Sequence, residues 1–570
     1  MLGALWLLGL FAAAPALRTN DTYGFTDRLR DALVLGVAIP FGLGYVHLLY
    51  PSALWIALAL CLAVAWRRGA PRGRDPAAQS PPYILIAAIA AIAWPSLMRP
   101  LLDGDTLSYH LPNAAAWSHA HGLWTTDSRY WWYPPASELF ASALYTVAGP
   151  FTLPWSGFGV YALLGFRIYG WVRDEAGATP RFADALAAAT VTAAPLALQA
   201  ATLQNDVWLA AFTIETLTAL RRRDDASAAR SMAAAALLKP YGFLFASVCA
   251  LAGRARLRVC GAAALPFVLW LLHDAVLWNS AIVPPASTSY GNTFGSTIVA
   301  HGLPALALLA KVAVLASPFA AILLLAALFA PMLAQQRGLG TTALFALAFY
   351  LVMPLAYSGP GPQLATGASL RYAAPAIALG ALVLSPWLLR AAPAAVVALV
   401  LCAMFGVAQN VALYWFDEPA RAALAIAPFF VAIVLVSRRA STAWPALCGA
   451  AAAMIASGLL AARFPASYYA DALRYEERGT HLYAWIARTS LPAIGGTGLR
   501  LGTVNVLAPH SRTVDLPDAA PCAMARSQGV ALVAVAEPER TRAFNRTRLR
   551  DARECGRTLY DDPIAVVSLP

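Results

Sequence analysis

A polytopic α-helical membrane protein of roughly 12–13 spans, with a small soluble α/β domain at its C-terminal end, is the fold class this sequence predicts. Three observations predict it. Of 570 residues, 60% are hydrophobic and only 12% charged, and mean hydropathy is +0.61. Soluble domains carry about twice that share of charge. Apolar runs of bilayer length recur up to about residue 463, and from 465 onward charged residues return. A water-soluble enzyme, a disordered chain and a coiled coil are excluded. The runs are also too long and unbroken for the alternation of an outer-membrane barrel.

Residues 1–17 are apolar without a basic leader, which favours a first membrane helix over a cleaved signal. Further spans fall near 32–49, 51–66, 82–98, 138–150 with 153–171, 183–201, 206–221, 259–278, 315–334 and 341–356. The last group is 372–389, 393–411, 421–437 and 442–463. Arginines cluster in the short connections: Arg67, Arg68, Arg72 and Arg74; Arg221, Arg222 and Arg223; Arg254, Arg256 and Arg258; Arg438 and Arg439. That is the positive-inside pattern and places those loops in the cytoplasm. It accounts for the +12 charge without a nucleic-acid partner. Segment 231–251 lies between two such clusters yet is one span long, so it is expected to re-enter as two short helices meeting at Lys239-Pro240-Tyr241-Gly242. The alternative is that one cluster lies on the other side; with re-entry, Lys239 approaches from the cytoplasmic half and is expected to be structural or only indirectly coupled.

Domain boundaries follow: 1–464 is the membrane domain, with a long external loop at 99–136, and 465–570 is an extracytoplasmic α/β domain. In the latter, 501–507, 530–536 and 564–569 read as strands, and 470–489 and 537–554 as helices. The Arg-rich stretch Arg540, Arg542, Arg546, Arg548 and Arg550 reads as a solvated face. Cys522 and Cys555 are the two cysteines of this exported domain, which suggests a disulfide.

The external loop carries the chemistry. If 105–121 is helical, Asp105, Tyr109, Asn113 and Trp117 share one stripe, with Gly122 ending it and Pro112 either kinking it or marking a first turn. Asn205-Asp206 adds a second acid in a tight external turn, and carboxylates at membrane depth usually line a pathway or site. Two carboxylates on one face suit a general base and an anchor for substrate or metal. Among 41 basic residues only Lys239 and Lys311 are lysines, both in apolar surroundings. Arg371 opens a late span; it either snorkels to the interface or binds a lipid phosphate. Asp103-Gly104-Asp105 is a D-x-D that, in many sugar transferases, holds a divalent cation.

The run Asp105-Thr106-Leu107-Ser108-Tyr109-His110-Leu111-Pro112, then Tyr133-Pro134-Pro135-Ala136-Ser137-Glu138-Leu139, Asn205-Asp206, and Arg371-Tyr372 with Pro375 resembles the GT-C glycosyltransferase superfamily. The likeness is to the branch of protein O-mannosyltransferases and lipid A aminoarabinose transferases, over residues 82–390. It implies a GT-C-like fold in the inner membrane and a polyprenyl-phosphate-linked sugar as donor. The acceptor, a glycan, lipid or protein, would approach from the periplasm. It implies Asp105 as the catalytic acid with Asp103 competing, Asp206 as the second acid, and Arg371 on the donor phosphate. Tyr109, His110, Glu138, Lys239 and Tyr372 would line the substrate site. A divalent cation, Mg or Mn, on Asp103 and Asp105 stays open, since members of the superfamily differ on it. The alternative is a lipid or polysaccharide flippase without glycosyl transfer; it predicts an internal repeat, which the sequence does not show.

Overall fold

The computed structural model describes residues 2–18, 24–69, 81–97, 105–128, 130–200, 202–278, 298, 302–353, 370–414, 482–497, 501–518, 520–536 and 541–570. Asp103, Arg72, Arg74, Arg438, Arg439 and the expected spans 421–437 and 442–463 lie outside them.

The N-terminal part is helical: α1 Leu2–Ala13, α2 Phe25–Tyr45, α3 Pro51–Arg68, α4 Tyr83–Leu97, α5 Leu111–His119, α6 Ala136–Ala148, α7 Pro154–Asp174 and α8 Pro180–Val191. There follow α9 Ala194–Ala197, α10 Asp206–Arg221, α11 Asp225–Ala236, α12 Gly242–Ala252, α13 Leu257–Trp278, α14 Gly302–Ala316, α15 Pro318–Leu328, α16 Ala330–Leu333 and α17 Arg337–Val352. Then come α18 Ala374–Leu388 and α19 Ala392–Tyr414. Among the described residues, three stretches are long and apolar enough to cross a membrane: Pro51–Arg68, Leu257–Leu277 and Leu370–Val407. The expected span 183–201 is divided, because Pro195 opens the separate short helix α9. The expected span 315–334 is likewise divided, because Ser317 caps α15 with Pro318 in its first turn.

Helix α10 is the axis of the bundle. It packs on α7, α11, α12 and α18, and every residue from Asp206 to Ala219 is buried. At its Arg221 end the fold is locked by charge. Glu215 meets Arg167 of α7 at 2.5 Å, and Arg167 also reaches Asp27 of α2 at 3.1 Å. Arg30 meets Asp31 at 2.9 Å, and Arg230 of α11 approaches Asp31 at 3.5 Å. Arg256 and Arg258 both pair with Asp225, so the two Arg clusters flanking 231–251 share this end. Between them α11 and α12 form a hairpin whose turn, 237–241, lies at the far end of α10. The turn needs glycine at 242, where a Cβ would collide with the Ala235 carbonyl.

The C-terminal domain is a three-layer α/β unit: α20 Leu482–Arg488, β1 Ala493–Thr497, α21 Leu501–Leu507, β2 Arg512–Asp515, α22 Pro521–Gln528, β3 Ala531–Val535, α23 Arg542–Glu554, β4 Arg557–Asp561 and β5 Ala565–Leu569. The sheet order is β2-β1-β3-β5-β4, with β1 parallel to β2 and β3, and β5 antiparallel to β3 and β4. Leu482, Ile486 and Val504 cover one face; Ala525, Leu549 and Ala552 cover the other. Residues 501–507, read as a strand, are a helix. A short apolar run buried on all sides has no period to separate the two, and here Leu501 to Val506 are all buried. The Arg-rich stretch is only partly a solvated face: Arg548 turns inward and pairs with Asp518 at 2.6 Å.

Cys522 and Cys555 form a disulfide, with Cα atoms 5.5 Å apart. It closes a loop of 33 residues and ties α22 to the end of α23. By chain entropy, Cys522→Ser is expected to destabilise this domain by about 3–4 kcal/mol. Limited proteolysis across a denaturant series, read on fragments from 482–570, measures it.

Candidate active site

Four segments meet at the Asp206 end of α10. They are the N-terminus of α10 itself, the 237–241 turn, the 3₁₀ turn Leu370–Ala373 before α18, and residues 105–110. Side-chain-to-backbone bonds fix their mutual heights. Asn205 donates to the Leu238 carbonyl at 2.7 Å, and Thr106 accepts from Leu203 N–H at 3.1 Å. Ala136, which follows the Pro-Pro at the end of the external loop, donates to the Leu237 carbonyl at 2.8 Å.

Residues 106–110 form one turn of π-helix running into α5. Pro112 is the cause: it has no N–H, and its ring would crowd the carbonyl four residues back in a regular helix. A π turn, with Leu111 N–H reaching Thr106 O, absorbs the misfit. The expected stripe therefore splits. Asp105 and Tyr109 stay together, 3.5 Å apart. Asn113 turns to the Tyr130 carbonyl at 3.1 Å, and Trp117 is buried against Trp270.

Two carboxylates and two cations face one another. Arg371 donates through Nη2 to Asp105 and, at 2.8 Å, to the Tyr372 hydroxyl. Its Nε lies 4.0 Å from Asp206. Lys239 donates to Asp206 and sits 4.7 Å from the Tyr372 ring and 5.5 Å from the Tyr241 ring. Asp206 is 3% exposed and Asp105 32%, so the Asp206–Lys239 pair is buried and the Asp105–Arg371 pair lies nearer the surface. Burial raises the Asp105 pKa, but the charges of Arg371, His110 and Lys239 outweigh it and hold the carboxyl below its ordinary value.

Lys239, expected to approach from the cytoplasmic half, meets Asp206 at the start of α10. The 12 residues of α11 rise about 18 Å along α10 and carry the turn to the Asp206 level. His110 and Glu138, expected to touch substrate, are each 1% exposed and lie behind the wall. Their 2.5 Å contact, with Ser137 donating to Glu138 at 2.8 Å, fixes the His110 ring 4.1 Å from that of Tyr109. Tyr130 was missed from the sequence and Tyr133 entered only within the loop-end motif; the two stack at 5.0 Å and meet Tyr109 at 5.1 and 5.7 Å. Tyr241 was also missed, although it stands two residues from Lys239 in a motif already singled out.

The chain is similar over 85% of its length to the crystal structure of ArnT from Cupriavidus metallidurans bound to undecaprenyl phosphate, covering 97% of that chain at TM-score 0.52 and 16% identity. The apo form of the same protein matches equally, with 96% of its chain covered at TM-score 0.52 and 16% identity. This chain has the GT-C fold. A weaker likeness, TM-score 0.33 over 75% of this chain and 45% of the other at 16% identity, is to arabinosyltransferase EmbB from Mycobacterium smegmatis. No protein-family model and no curated protein matches the sequence. In this fold the early loop and the late helix meet at the Asp105–Arg371 contact.

Asp103, named with Asp105 for a possible divalent cation, lies outside the described residues. Asp105 and Asp206 are each paired with a cationic side chain, and among the described residues no three of His, Cys, Asp and Glu gather at one point.

Proposed function

We propose that this chain is a membrane glycosyltransferase that moves a sugar from a polyprenyl-phosphate-linked donor to an acceptor at the extracytoplasmic face. The observation that carries the reading is the cluster of two carboxylates and two cations in a fold whose neighbour ArnT holds undecaprenyl phosphate. Arg371 and Lys239 are the donor-phosphate contacts, one a fork and one a point charge. Asp105, nearer the surface, takes the acceptor hydroxyl proton. The acceptor oxygen then bonds to the anomeric carbon as the bond from that carbon to the phosphate oxygen breaks. The electron pair leaves with the polyprenyl phosphate, whose charge the two cations meet. The result is inversion. Asp206 orients Lys239, and Tyr109, Tyr130 and Tyr133 form a wall of ring faces suited to a sugar.

Helix α21 packs on residues 106–110, so the C-terminal domain stands at the Asp206 end of the bundle. The Arg clusters at the opposite end make that end cytoplasmic and this one extracytoplasmic. A disulfide-bonded domain fits the same side. The roughly 12–13 spans, with 1–464 as membrane domain and 465–570 outside, complete this reading.

Titration of the purified chain with undecaprenyl phosphate tests it. Wild type is expected to bind, and Arg371→Ala to bind roughly tenfold or more weakly, the loss of one charge-assisted contact. Equal affinity in the variant would return Arg371 to a snorkelling role.

A further inference from the structure

The segment that carries the aromatic wall is held from outside the bundle. Arg512 of β2 grips Asp127 with both prongs, Nε to Oδ2 at 2.8 Å and Nη2 to Oδ1 at 2.9 Å. Asp515 N–H adds a bond to the Asp127 carbonyl at 2.7 Å. Arg512 is itself aimed by Gln528, whose Oε1 accepts from Nη2 at 3.0 Å. From Asp127 the chain of contacts runs inward. Ser128 donates to Asn113, and Asn113 donates to the Tyr130 carbonyl at 3.1 Å. Tyr130 and Tyr133 then close on Tyr109, the neighbour of Asp105.

A second arm reaches the same place. Gly502 of α21 lies against the Leu107 backbone, where a Cβ would sit 2.5 Å from the carbonyl oxygen and 2.6 Å from Cα. Leu107 is two residues from Asp105, in the π turn. At the other end of α5, His119 and Tyr145 bond the Pro509 carbonyl at 2.9 and 3.1 Å.

We infer that the C-terminal domain completes the site: Arg512, through Asp127, is a positioning residue that sets Tyr130 and Tyr133 against Tyr109, and Gly502 backs the turn presenting Asp105. The inference rests on the transferase reading for what those residues do, and on the contacts alone for their being positioned. The Arg512 side chain is 41% exposed. With its partner Asp127 12% exposed, the pair contributes a modest amount to folding, small beside the stability of a whole domain, whereas its two-pronged geometry fixes direction. Positioning and stability are therefore separable.

Hydrogen–deuterium exchange on the full chain in detergent, with Arg512→Ala, Asp127→Ala and the swap Arg512→Asp with Asp127→Arg, separates them. Both single variants are expected to exchange about fivefold faster across 105–133, with the strands 493–497, 531–535 and 565–569 unchanged, and the swap to restore protection. Undecaprenyl phosphate affinity is expected to change less than about twofold, since Arg371 and Lys239 are untouched. Unchanged exchange across 105–133 in Asp127→Ala overturns the inference. So does an equal rise throughout the sheet, which marks a purely structural pair. Failure of wild type to bind undecaprenyl phosphate sinks the transferase reading and leaves the exchange result to decide positioning.

Discussion

Asp105→Asn is expected to lower sugar transfer by roughly 10²–10⁴-fold, the usual contribution of a positioned general base, with folding intact. The substitution keeps size and an oxygen for Arg371, so only the charge and the proton acceptor are lost. Asp103→Asn is the control on the neighbouring acid; if it alone abolishes transfer, the role moves two residues upstream, and full activity in both variants ends the assignment. The pH profile adds a sign. The Asp105 carboxyl is held below its ordinary value of 3.8, burial pushing it up and Arg371, His110 and Lys239 pulling it further down. A depressed pKa means the Asp105–Arg371 pair contributes stability above about pH 4, lost as pH falls through the lower folded value. Protonation of Asp105 in the free enzyme thus leaves kcat/KM flat from about pH 5 upward. A donor phosphate competes for Arg371 and relieves the depression, so the acid limb of kcat is expected above that of kcat/KM. Coincident limbs would show that Arg371 keeps its grip on Asp105 throughout turnover.

The residues that announced themselves in the sequence are those whose type contradicts their surroundings. Asp105, Asp206, Lys239 and Arg371 are charges beside or within apolar runs, and all four lie in one cluster. What the sequence hid depends on heights and packing. The meeting of Lys239 with Asp206 was not legible, because nothing local says that α11 climbs that far. His110 and Glu138 were named through the resemblance alone, and their burial beside Tyr109 depends on packing that no local pattern carries. Strand β1 escaped notice because Gly495-Gly496 reads as a turn. In the structure a Cβ on Gly495 would meet Leu516 and Val530 at 2.6 Å, so glycine is required by packing. The membrane-spanning character was plain from composition, while the breaks at Pro195 and Ser317-Pro318 that shorten its helices depend on tertiary covering of the freed backbone groups.

Glu215→Ala is expected to destabilise the folded chain by about 3–5 kcal/mol, the cost of stranding a buried charge partner. Glu215 is fully buried, 2.5 Å from Arg167 and 3.7 Å from Arg30. Among the described residues Asp27 and Asp31 are then left to balance Arg30, Arg167, Arg222 and Arg230, so removing Glu215 leaves more positive than negative charge around it. Those charges join α2, α7, α10 and α11 at one level. Glu215→Gln retains an acceptor for Arg167 and should cost less; Glu215→Leu with Arg167→Leu removes a charge of each sign and should recover most of the loss. Denaturant unfolding in detergent micelles measures all three. The site offers an independent readout, since Asp206 lies nine residues, about 14 Å, along the same helix. If the charge network only stabilises the bundle, the surviving folded fraction of Glu215→Ala binds undecaprenyl phosphate as wild type does. If it also sets the register of α10 against α11, the Asp206–Lys239 pair slips and affinity falls with stability. An unfolding free energy within about 1 kcal/mol of wild type would mean that apolar packing around α10 holds these helices in place without the buried charges.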